Sequence, residues 1–417
     1  MTKLTHISVL ILLIFQLAAI TCRAAAHANN HLEGDKNCPQ NYAKIFVSNS
    51  GHNSSSQFKA GLPVRTLDYA RTIAHRFAEN TAGFCILLKG GETFLPSIAI
   101  HLNVSSTPQQ AESEDFNRAA FLWDLDKPLI LSNYGTKAYP IIRSQQKYFA
   151  KDNGSDTNYK TIKTQIAIAV TAPSKQPVVI ENIYLLEWEI SAIWIYRTTN
   201  ITIRNLIINK TGTLYFPEER YLLKEPNHLI YAAGVIYPKN SSNIKIYNNS
   251  IRNSHNRNDS YGLTGDLHVF YLSKVSDVNI FNNNVKWTSG PPIKIRHNSK
   301  NITIESNEFM YASPSKISDK HVEQQGFIRI PCKNLDTSCP MNVRIQNNKF
   351  HHPWCWGANC NNQKALRYSG QYFDEYSSRC SDRCWLSSND GMASYCQTNC
   401  RGIQLLNNDF VLEWKQL

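Results

Sequence analysis

The segment Ile293–Arg296, followed by His297, alternates two cationic side chains with two isoleucines. In a strand, side chains alternate between two faces, so Lys294 and Arg296 would share the face opposite the isoleucines. Lysine, arginine and histidine can together neutralise a carboxylate and transfer a proton. These operations remove the C5 proton of a uronic acid and expel the 4-linked oxygen. The segment therefore predicts a site for β-elimination of a uronate polymer, with Lys294, Arg296 and His297 as catalytic residues.

Four other apolar segments are expected to be the equivalent strands of neighbouring coils: 193–196, 235–237, 267–271 and 327–330. Outward side chains of strands stacked about 4.8 Å apart become lateral neighbours. Beneath the loops 252–266 and 310–325, this arrangement should gather His268, Lys294, Arg296 and Arg329. His268 joins the catalytic set, the loop adds His255, and substrate binding is assigned to Arg329, Trp194, Tyr196 and Arg257. Aromatic rings pack on sugar C–H faces and arginine binds carboxylates, although a merely solvated basic face fits the same residues.

A short repeat predicts the fold that positions these residues. A turn residue, an apolar–x–apolar stretch and a closing asparagine recur six times, at residues 200–205, 243–248, 277–282, 301–307, 342–347 and 402–407. Such a strand buries its apolar side only when it stacks on copies of itself, so the repeat predicts an all-β, right-handed parallel β-helix. The expected inner column is Ile203, Ile246, Ile280, Ile304, Ile345 and Leu405. An internal hydrogen-bonded ladder is expected from the closing asparagines, Asn248, Asn282, Asn307, Asn347 and Asn407.

The chain is expected to form one domain behind two N-terminal segments. Residues 1–26 combine Lys3, an apolar run and three alanines, a pattern typical of a secretory signal peptide. Residues 27–80 are assigned to an extension whose apolar spacing predicts a capping helix at 65–77. Residues 81–417 are assigned to the β-helix, with insertions near 213–230, 252–266, 310–325 and, rich in disulfides, 351–400. The protein is therefore expected to be secreted or periplasmic, without a membrane-spanning segment.

The charge balance indicates the chemical class of the partner. The 417-residue chain has a formal net charge of +12 at pH 7, and loss of residues 1–26 removes two basic and no acidic residues, which leaves +10. This balance favours a polyanionic partner, such as an acidic polysaccharide, nucleic acid or an anionic cell surface, although basic surfaces also serve solubility alone. Of these, an acidic polysaccharide is expected, and the protein is expected to be a monomer. Nucleic acid is not expected as a partner.

The cysteines indicate disulfide bonds. Ten of the eleven cysteines follow residue 26, and eight of these lie between Cys332 and Cys400. An even number in an exported chain is typical of disulfides. Zinc is the alternative, because two Cys-x3-Cys pairs in this region have the spacing of metal ligands. Export favours disulfides over zinc, and no metal ligand is assigned.

Several segments resemble the first coils of bacterial pectate-lyase-like β-helix proteins, namely 42–70, 91–94 and 128–135. Residues 293–297, followed by 301–304, are similar to the Arg-His strand of the alginate lyase and chondroitinase B family. The resemblance implies that Arg296 acts at the leaving-group side and that Lys274, close to the position of the family's lysine, is the base. It also implies calcium, but segment 267–271 has no glutamate to bind the ion, so the cofactor remains unknown.

Two other functions fit the same fold. A glycoside hydrolase needs paired carboxylates at the scissile bond, and Asp266 has no adjacent partner. Hydrolysis therefore ranks below elimination and below C5 epimerisation, which begins with the same proton abstraction. A non-catalytic, glycan-binding or adhesive β-helix needs no acid–base pair at all.

The cysteine pattern predicts the redox state of the exported protein. Mass spectrometry after alkylation without reduction should find no free thiol between Cys332 and Cys400, because each cysteine is expected to be in a disulfide. After reduction, all eight should become alkylated. Stoichiometric zinc release upon thiol modification would instead show a metal site.

Overall fold

Short strands recur along the chain and stack, coil upon coil, into three large sheets. The computed structural model describes residues 37–53, 62–96, 119–144, 166–171, 175–212, 234–258, 262–264, 267–311, 315–317, 322–323, 328–331, 340–351, 355–356, 383–386 and 403–411. The first sheet contains β1 (Ala43–Val47), β2 (Phe84–Lys89), β5 (Leu129–Tyr134), β8 (Val178–Glu181), β11 (Thr199–Arg204), β14 (Ser242–Tyr247), β19 (Ser276–Phe281), β22 (Lys300–Glu305), β27 (Met341–Gln346) and β31 (Ile403–Leu406).

The other two large sheets are built in the same way. The second contains β4 (Ala119–Trp123), β7 (Ile166–Val170), β10 (Ser191–Tyr196), β13 (Gly234–Lys239), β18 (His268–Ser273), β21 (Ile293–Arg296), β26 (Ile328–Pro331) and β30 (Arg383–Leu386). The third contains β3 (Thr93–Phe94), β6 (Ile141–Arg143), β9 (Tyr184–Trp188), β12 (Ile207–Thr211), β15 (Ser250–Ser254), β20 (Asn284–Thr288), β23 (Glu308–Met310), β28 (Lys349–His351) and β32 (Asp409–Val411).

The chain visits the three sheets in a fixed order. Strands β8, β9 and β10 lie in the first, third and second sheets, and β11, β12 and β13 repeat this order one coil later. Successive coils pair in parallel. The predicted all-β, right-handed parallel β-helix is confirmed. No helix among the described residues is long and apolar enough to cross a membrane.

The core lies between the sheets, where apolar side chains of successive coils stack. Strand register confirms the predicted inner column of Ile203, Ile246, Ile280, Ile304, Ile345 and Leu405. The five isoleucines are fully buried, and burial of each side chain stabilises the fold by roughly 2 kcal/mol. Each coil therefore provides the apolar surface that the next one needs.

A helix, α1 (Leu67–Arg76), packs on the N-terminal end of the solenoid. The Thr66 hydroxyl accepts the backbone N–H of Tyr69 at 3.2 Å, which caps the helix. Four helix residues are buried in the core, Leu67, Ala70, Ile73 and Ala74. The helix contacts β1 and β4, the terminal strands of the first and second sheets. The capping helix predicted at 65–77 is confirmed, with slightly shorter bounds.

The first sheet begins ahead of this helix, because β1 pairs in parallel with β2. This strand lies in the segment that the sequence assigned to the extension. A disulfide joins Cys38, just before β1, to Cys85 in β2, which supports the expected use of cysteines in disulfides. Residues 1–26 lie outside the described residues. So do the side chains of the cysteines between Cys332 and Cys400.

The insertions pair with one another and with the solenoid. Residues 213–230 and most of 351–400 lie outside the described residues. The described parts of the insertions contain β30, already assigned to the second sheet, and five further short strands: β16 (Asn256–Asn258), β17 (Gly262–Thr264), β24 (Ser315–Ile317), β25 (Val322–Glu323) and β29 (Cys355–Trp356). Strands β16 and β17 form an antiparallel hairpin, and β24 pairs with both β25 and β29. Strand β30 runs antiparallel to β26. The last insertion therefore returns to the second sheet.

The closing asparagines occupy a turn that most side chains disfavour. Asn205, Asn248, Asn282, Asn347 and Asn407 have φ between 51° and 56°, in the left-handed region that asparagine tolerates better than most residues. In the unit 301–307, Ser306 takes this position with φ 55°. The strand of that unit, β22, is therefore no longer than its neighbours, and the seventh residue, Asn307, simply follows the turn residue Ser306.

The internal amide ladder is built from the residue after the turn, namely Asn249, Asn283, Asn307, Asn348 and Asn408. Each side-chain Nδ2 donates to the next Oδ1 at 2.8 to 3.0 Å. The predicted ladder is right at Asn307 and wrong by one residue at Asn248, Asn282, Asn347 and Asn407. The left-handed turn leaves those four side chains exposed, and the following residue points into the core.

The ladder predicts a large stability loss at Asn307. Its Nδ2 donates to Asn348 Oδ1 and to two backbone carbonyls, and its Oδ1 accepts from Asn283. Asn307→Ala should lower the free energy of unfolding by roughly 2 to 5 kcal/mol, because each buried group left unpaired costs about 1 to 3 kcal/mol. Urea denaturation measures the change.

The neighbouring residue provides the control. Ser306 is exposed in the left-handed conformation, so Ser306→Gly should alter stability by less than about 1 kcal/mol. Equal losses in the two variants would mean that the amide ladder contributes nothing specific.

Candidate functional site

The outward face of the second sheet carries two columns of side chains, which we call the basic face. One column consists of Trp194, Tyr237, Tyr271 and Lys294, and Arg329 follows Lys294 in backbone register. The other consists of Tyr196, Lys239, Ser273 and Arg296. Neither column contains an acidic residue. The strand stacking therefore concentrates aromatic and cationic side chains on one side of the solenoid.

Three of the predicted site residues converge on Tyr271. Arg296 Nη1 donates a hydrogen bond to the Tyr271 hydroxyl at 2.9 Å. Lys294 Nζ lies 4.9 Å from the centre of the Tyr271 ring, within the range of a cation–π contact. The ring of His268 lies 5.7 Å from the same ring. His268, Lys294 and Arg296 thus gather around a residue that the sequence analysis did not select. The side chain of Arg329, the fourth member of the predicted cluster, lies outside the described residues, so the cluster of four stays a prediction.

Lys294 and His268 are less accessible than their sequence pattern indicated. Lys294 is only 9% exposed, so the expectation that it faces solvent is wrong. His268 is fully buried. Its Nδ1 lies 2.8 Å from the carbonyl oxygen of Pro291, and a carbonyl only accepts, so Nδ1 carries the hydrogen. Arg329 is the lateral neighbour of Lys294 in strand register.

Lys274 and His297 lie in the turn that follows the second sheet. They have φ values of 52° and 49°, and both are exposed. The backbone amide of Lys274 donates to the carbonyl of Arg296 at 3.3 Å, so the turns of two coils stack on each other. The turn sets these two residues apart from the Tyr271 cluster, and their catalytic roles stay predictions.

The aromatic rings of the basic face stack on one another. Trp194 and Tyr237 lie 5.0 Å apart, and Tyr237 and Tyr271 lie 4.7 Å apart at an interplanar angle of 13°. Stacking along the axis covers both faces of Tyr237 and leaves ring edges and hydroxyl tips outward. Tyr196 has the cationic groups of Arg197 and Lys239 at 4.9 and 5.8 Å from its ring centre. Sugar stacking on Trp194 and Tyr196 stays a prediction.

An interruption of the regular inward–outward alternation within β18 explains why the sequence analysis missed Tyr271. Strict alternation from His268 would place Tyr271 on the inner face. In the structure the consecutive residues Val269 and Phe270 both join the core, which returns Tyr271 to the outer face. Val235-Ile236 and Ala192-Ile193 do the same one and two coils earlier, respectively. Paired apolar residues at this position were the available signal.

A glycine makes room for Tyr271. A Cβ on Gly234 would lie 2.6 Å from Tyr271 Cβ, closer than unbonded carbons can approach. Any side chain at this position would therefore displace the tyrosine from the stack.

The basic face does not fit calcium. Calcium takes six to eight oxygen ligands, mostly carboxylates and carbonyls, whereas the two columns supply cations, rings and one serine hydroxyl. No group of three metal-ligating side chains occurs among the described residues. Calcium therefore enters none of the chemistry considered below.

His255 lies at the base of the hairpin formed by β16 and β17, and it is 7% exposed. Burial lowers the pKa of its imidazole to about 4. At neutral pH it is therefore uncharged and does not add to the positive charge of the site. Arg257 lies in β16, opposite Leu263 of β17.

Apart from the basic face, a polar hollow of about 370 Å³ lies on the first sheet. Its lining residues are Asn301, Thr303, Asn342, Arg344 and Gln404. It contains no aromatic ring and shares no residue with the basic face. Arg344 is exposed, and it offers an arginine on a different sheet for comparison with Arg296.

The buried His255 predicts a pH-dependent stability. Between its unfolded pKa near 6.5 and its folded pKa of about 4, the unfolded chain binds a proton that the folded protein does not. Stability should therefore fall from pH 7 to pH 4.5, and this histidine should contribute roughly 2 to 3 kcal/mol of the loss. Urea unfolding of the wild type and His255→Gln at both pH values measures it.

The variant should lose that part of the pH dependence. His52 is exposed, so His52→Gln should keep the wild-type pH dependence. The same pH dependence in His255→Gln and the wild type would contradict a neutral, buried His255.

Comparison with known proteins gives distant structural likenesses only. No protein-family model and no curated protein matches the chain. Among solved structures, it is similar to the catalytic domain of a GH87 α-1,3-glucanase variant in complex with nigerose, with 11% identity and a TM-score of 0.31 over 78% of this chain and 57% of that one. It is also similar to a GH136 lacto-N-biosidase from Eubacterium ramulus, with 10% identity and a TM-score of 0.27 over 88% and 68%. The chain thus spans just over half of the glucanase domain, and at these TM-scores the likenesses assign no function.

Proposed function

We propose that the basic face binds a uronate-containing polysaccharide and cleaves it by β-elimination. The observation that carries this proposal is the convergence of Lys294 and Arg296 on Tyr271, the first over its ring and the second at its hydroxyl, in two columns without an acidic residue. Cations beside a group able to transfer a proton are what elimination next to a carboxylate requires.

Arg296 and Lys294 would act on the substrate carboxylate. Arginine presents a planar fork of N–H donors that matches a carboxylate, and one of its nitrogens here already holds Tyr271. Neutralising the carboxylate stabilises the enolate-like charge that develops when the C5 proton leaves. A base takes that proton, and its electron pair forms the C4=C5 double bond. The C4–O bond breaks, and the leaving oxygen takes a proton from an acid.

The same proposal places the protein outside the cell. Residues 1–26 are removed as a signal peptide, 27–80 contain the cap, and 81–417 carry the site on a monomeric solenoid. The disulfide between Cys38 and Cys85 supports an oxidising compartment.

A panel of acidic polysaccharides tests the reaction. The double bond formed by elimination conjugates with the carboxylate, so the unsaturated uronate is followed by its ultraviolet absorbance. New reducing ends without this absorbance would favour a glycoside hydrolase. Binding without any product would favour a glycan-binding or adhesive β-helix. Either result would replace the lyase proposal.

On a polysaccharide that the wild type cleaves, Arg296→Ala should lower kcat by about a hundredfold or more. The substitution removes a positive charge that stabilises the transition state more than the bound substrate. The KM should change much less. Arg344→Ala removes an exposed arginine from the first sheet and should leave both constants near wild type. Equal effects of the two variants would show that Arg296 acts only through net charge.

A further inference from the structure

We infer that Tyr271 is the general acid of the proposed site, the residue that protonates the leaving oxygen. This inference rests on the proposed function and adds a role for a side chain that no motif selected. The geometry around the phenol carries it, since two cations from the next coil contact this one side chain, Arg296 at the hydroxyl and Lys294 over the ring.

The hydrogen bond from Arg296 orients the phenol. Nη1 donates to Oη at 2.9 Å, so an oxygen lone pair faces the guanidinium and the tyrosine's own hydrogen points elsewhere. That hydrogen is the proton to be given away. When it leaves, the negative charge on Oη lies against the Arg296 guanidinium, and charge-assisted hydrogen bonds of this kind are about twice as strong as neutral ones.

Packing holds the ring in place. Tyr237 stacks on one face at 4.7 Å, and Lys294 Nζ lies 4.9 Å from the ring centre. Tyr271 is 7% exposed. A ring fixed in this way needs little reorganisation during the reaction, which is how preorganised groups lower a barrier.

A second arginine–tyrosine pair in the chain shows what a structural version looks like. Arg204 Nη1 donates to the Tyr247 hydroxyl at 2.9 Å, and the Tyr247 ring stacks on Phe281 at 4.6 Å. Arg204, however, also donates to the buried carboxylate of Glu181 at 2.6 Å. Its charge is neutralised within the protein. Arg296 makes no ion pair with any described residue, so its charge remains available to Oη and to a bound anion.

The proposed step balances in atoms and charge. The base takes the C5 proton, the C5–H electron pair becomes the C4=C5 bond, and the C4–O bond breaks. The Tyr271 O–H bond breaks as its proton joins the leaving oxygen. Tyr271 is left as a phenolate beside Arg296. Before the next turnover the base releases the C5 proton to water and Tyr271 regains a proton from water, so that no net charge remains.

Tyr271→Phe isolates the hydroxyl, because phenylalanine keeps the ring and its stack. On a polyuronide that the wild type cleaves, kcat should fall about 10² to 10⁴-fold, the usual contribution of general acid catalysis. The KM should change by less than about threefold, since substrate binding does not need the transferred proton. Thermal unfolding of the variant checks that it remains folded.

A substrate that needs no acid separates catalysis from structure. A synthetic uronate with a 4-nitrophenoxy group at C4 loses it as the stable 4-nitrophenolate anion, which needs no proton from an acid. Tyr271→Phe should therefore cleave this substrate within about threefold of the wild-type rate. Arg296→Gln should likewise lose more activity on the polymer than on this substrate. The control is Tyr247→Phe, which removes the other arginine-bound hydroxyl and should leave both rates unchanged.

The outcomes separate the two proposals. If the wild type makes unsaturated product and Tyr271→Phe loses equal activity on both substrates, or none, the acid role is overturned and the lyase stands. If Tyr271→Phe does not fold, equal losses on both substrates in Arg296→Gln would overturn the acid role instead. If the wild type makes no unsaturated product from any polyuronide, the lyase proposal fails and the acid role fails with it.

Discussion

Each coil of this β-helix depends on the coils on either side, and the register between coils is the constraint on which the rest of the structure depends. The short strands bury their apolar sides only when inner columns are aligned. The ladder of amides from Asn249 to Asn408 reinforces this alignment, because each of its inner members, Asn283, Asn307 and Asn348, bonds to the amides one coil before and one coil after it. Fixed inner columns also fix the outer ones. Tyr271 and Arg296, 25 residues apart, therefore meet at hydrogen-bond distance.

The sequence repeat predicted most of the fold correctly, because the alternation of apolar residues and the positions of the turn residues both indicate which residues of successive strands pair. Ile203 and its successors were assigned correctly, and so was the capping helix. The amide ladder was misplaced because two asparagines follow each other in most units, and composition does not separate the turn residue from the buried one. The unit with Ser306 and Asn307 distinguished them, since only the second can supply a buried amide.

The site was less accessible to sequence reasoning, because its geometry depends on departures from regular alternation. Lys294 and Arg296 followed simple alternation and were placed on the correct face, although alternation does not indicate how deeply Lys294 is covered. Tyr271 was missed because Val269 and Phe270 both enter the core. Similarly, a left-handed turn after the strand separates Lys274 from the cluster to which resemblance had assigned it.

The placement of carboxylates distinguishes structural cations from those able to act on a ligand. Glu181 on the first sheet bonds to Arg204, and Glu187 on the third bonds to Arg143 and Lys210. The two outward columns of the second sheet have no acidic residue among the described residues, so their cations lack a carboxylate on the same face. Gathering cations without counter-charges disfavours the unbound protein, and a bound polyanion relieves that repulsion. An arginine–tyrosine pair with a carboxylate, such as Arg204 and Tyr247, therefore has its charge neutralised within the protein. The pair of Arg296 and Tyr271 has no such carboxylate among the described residues, which is the difference on which the proposed site rests.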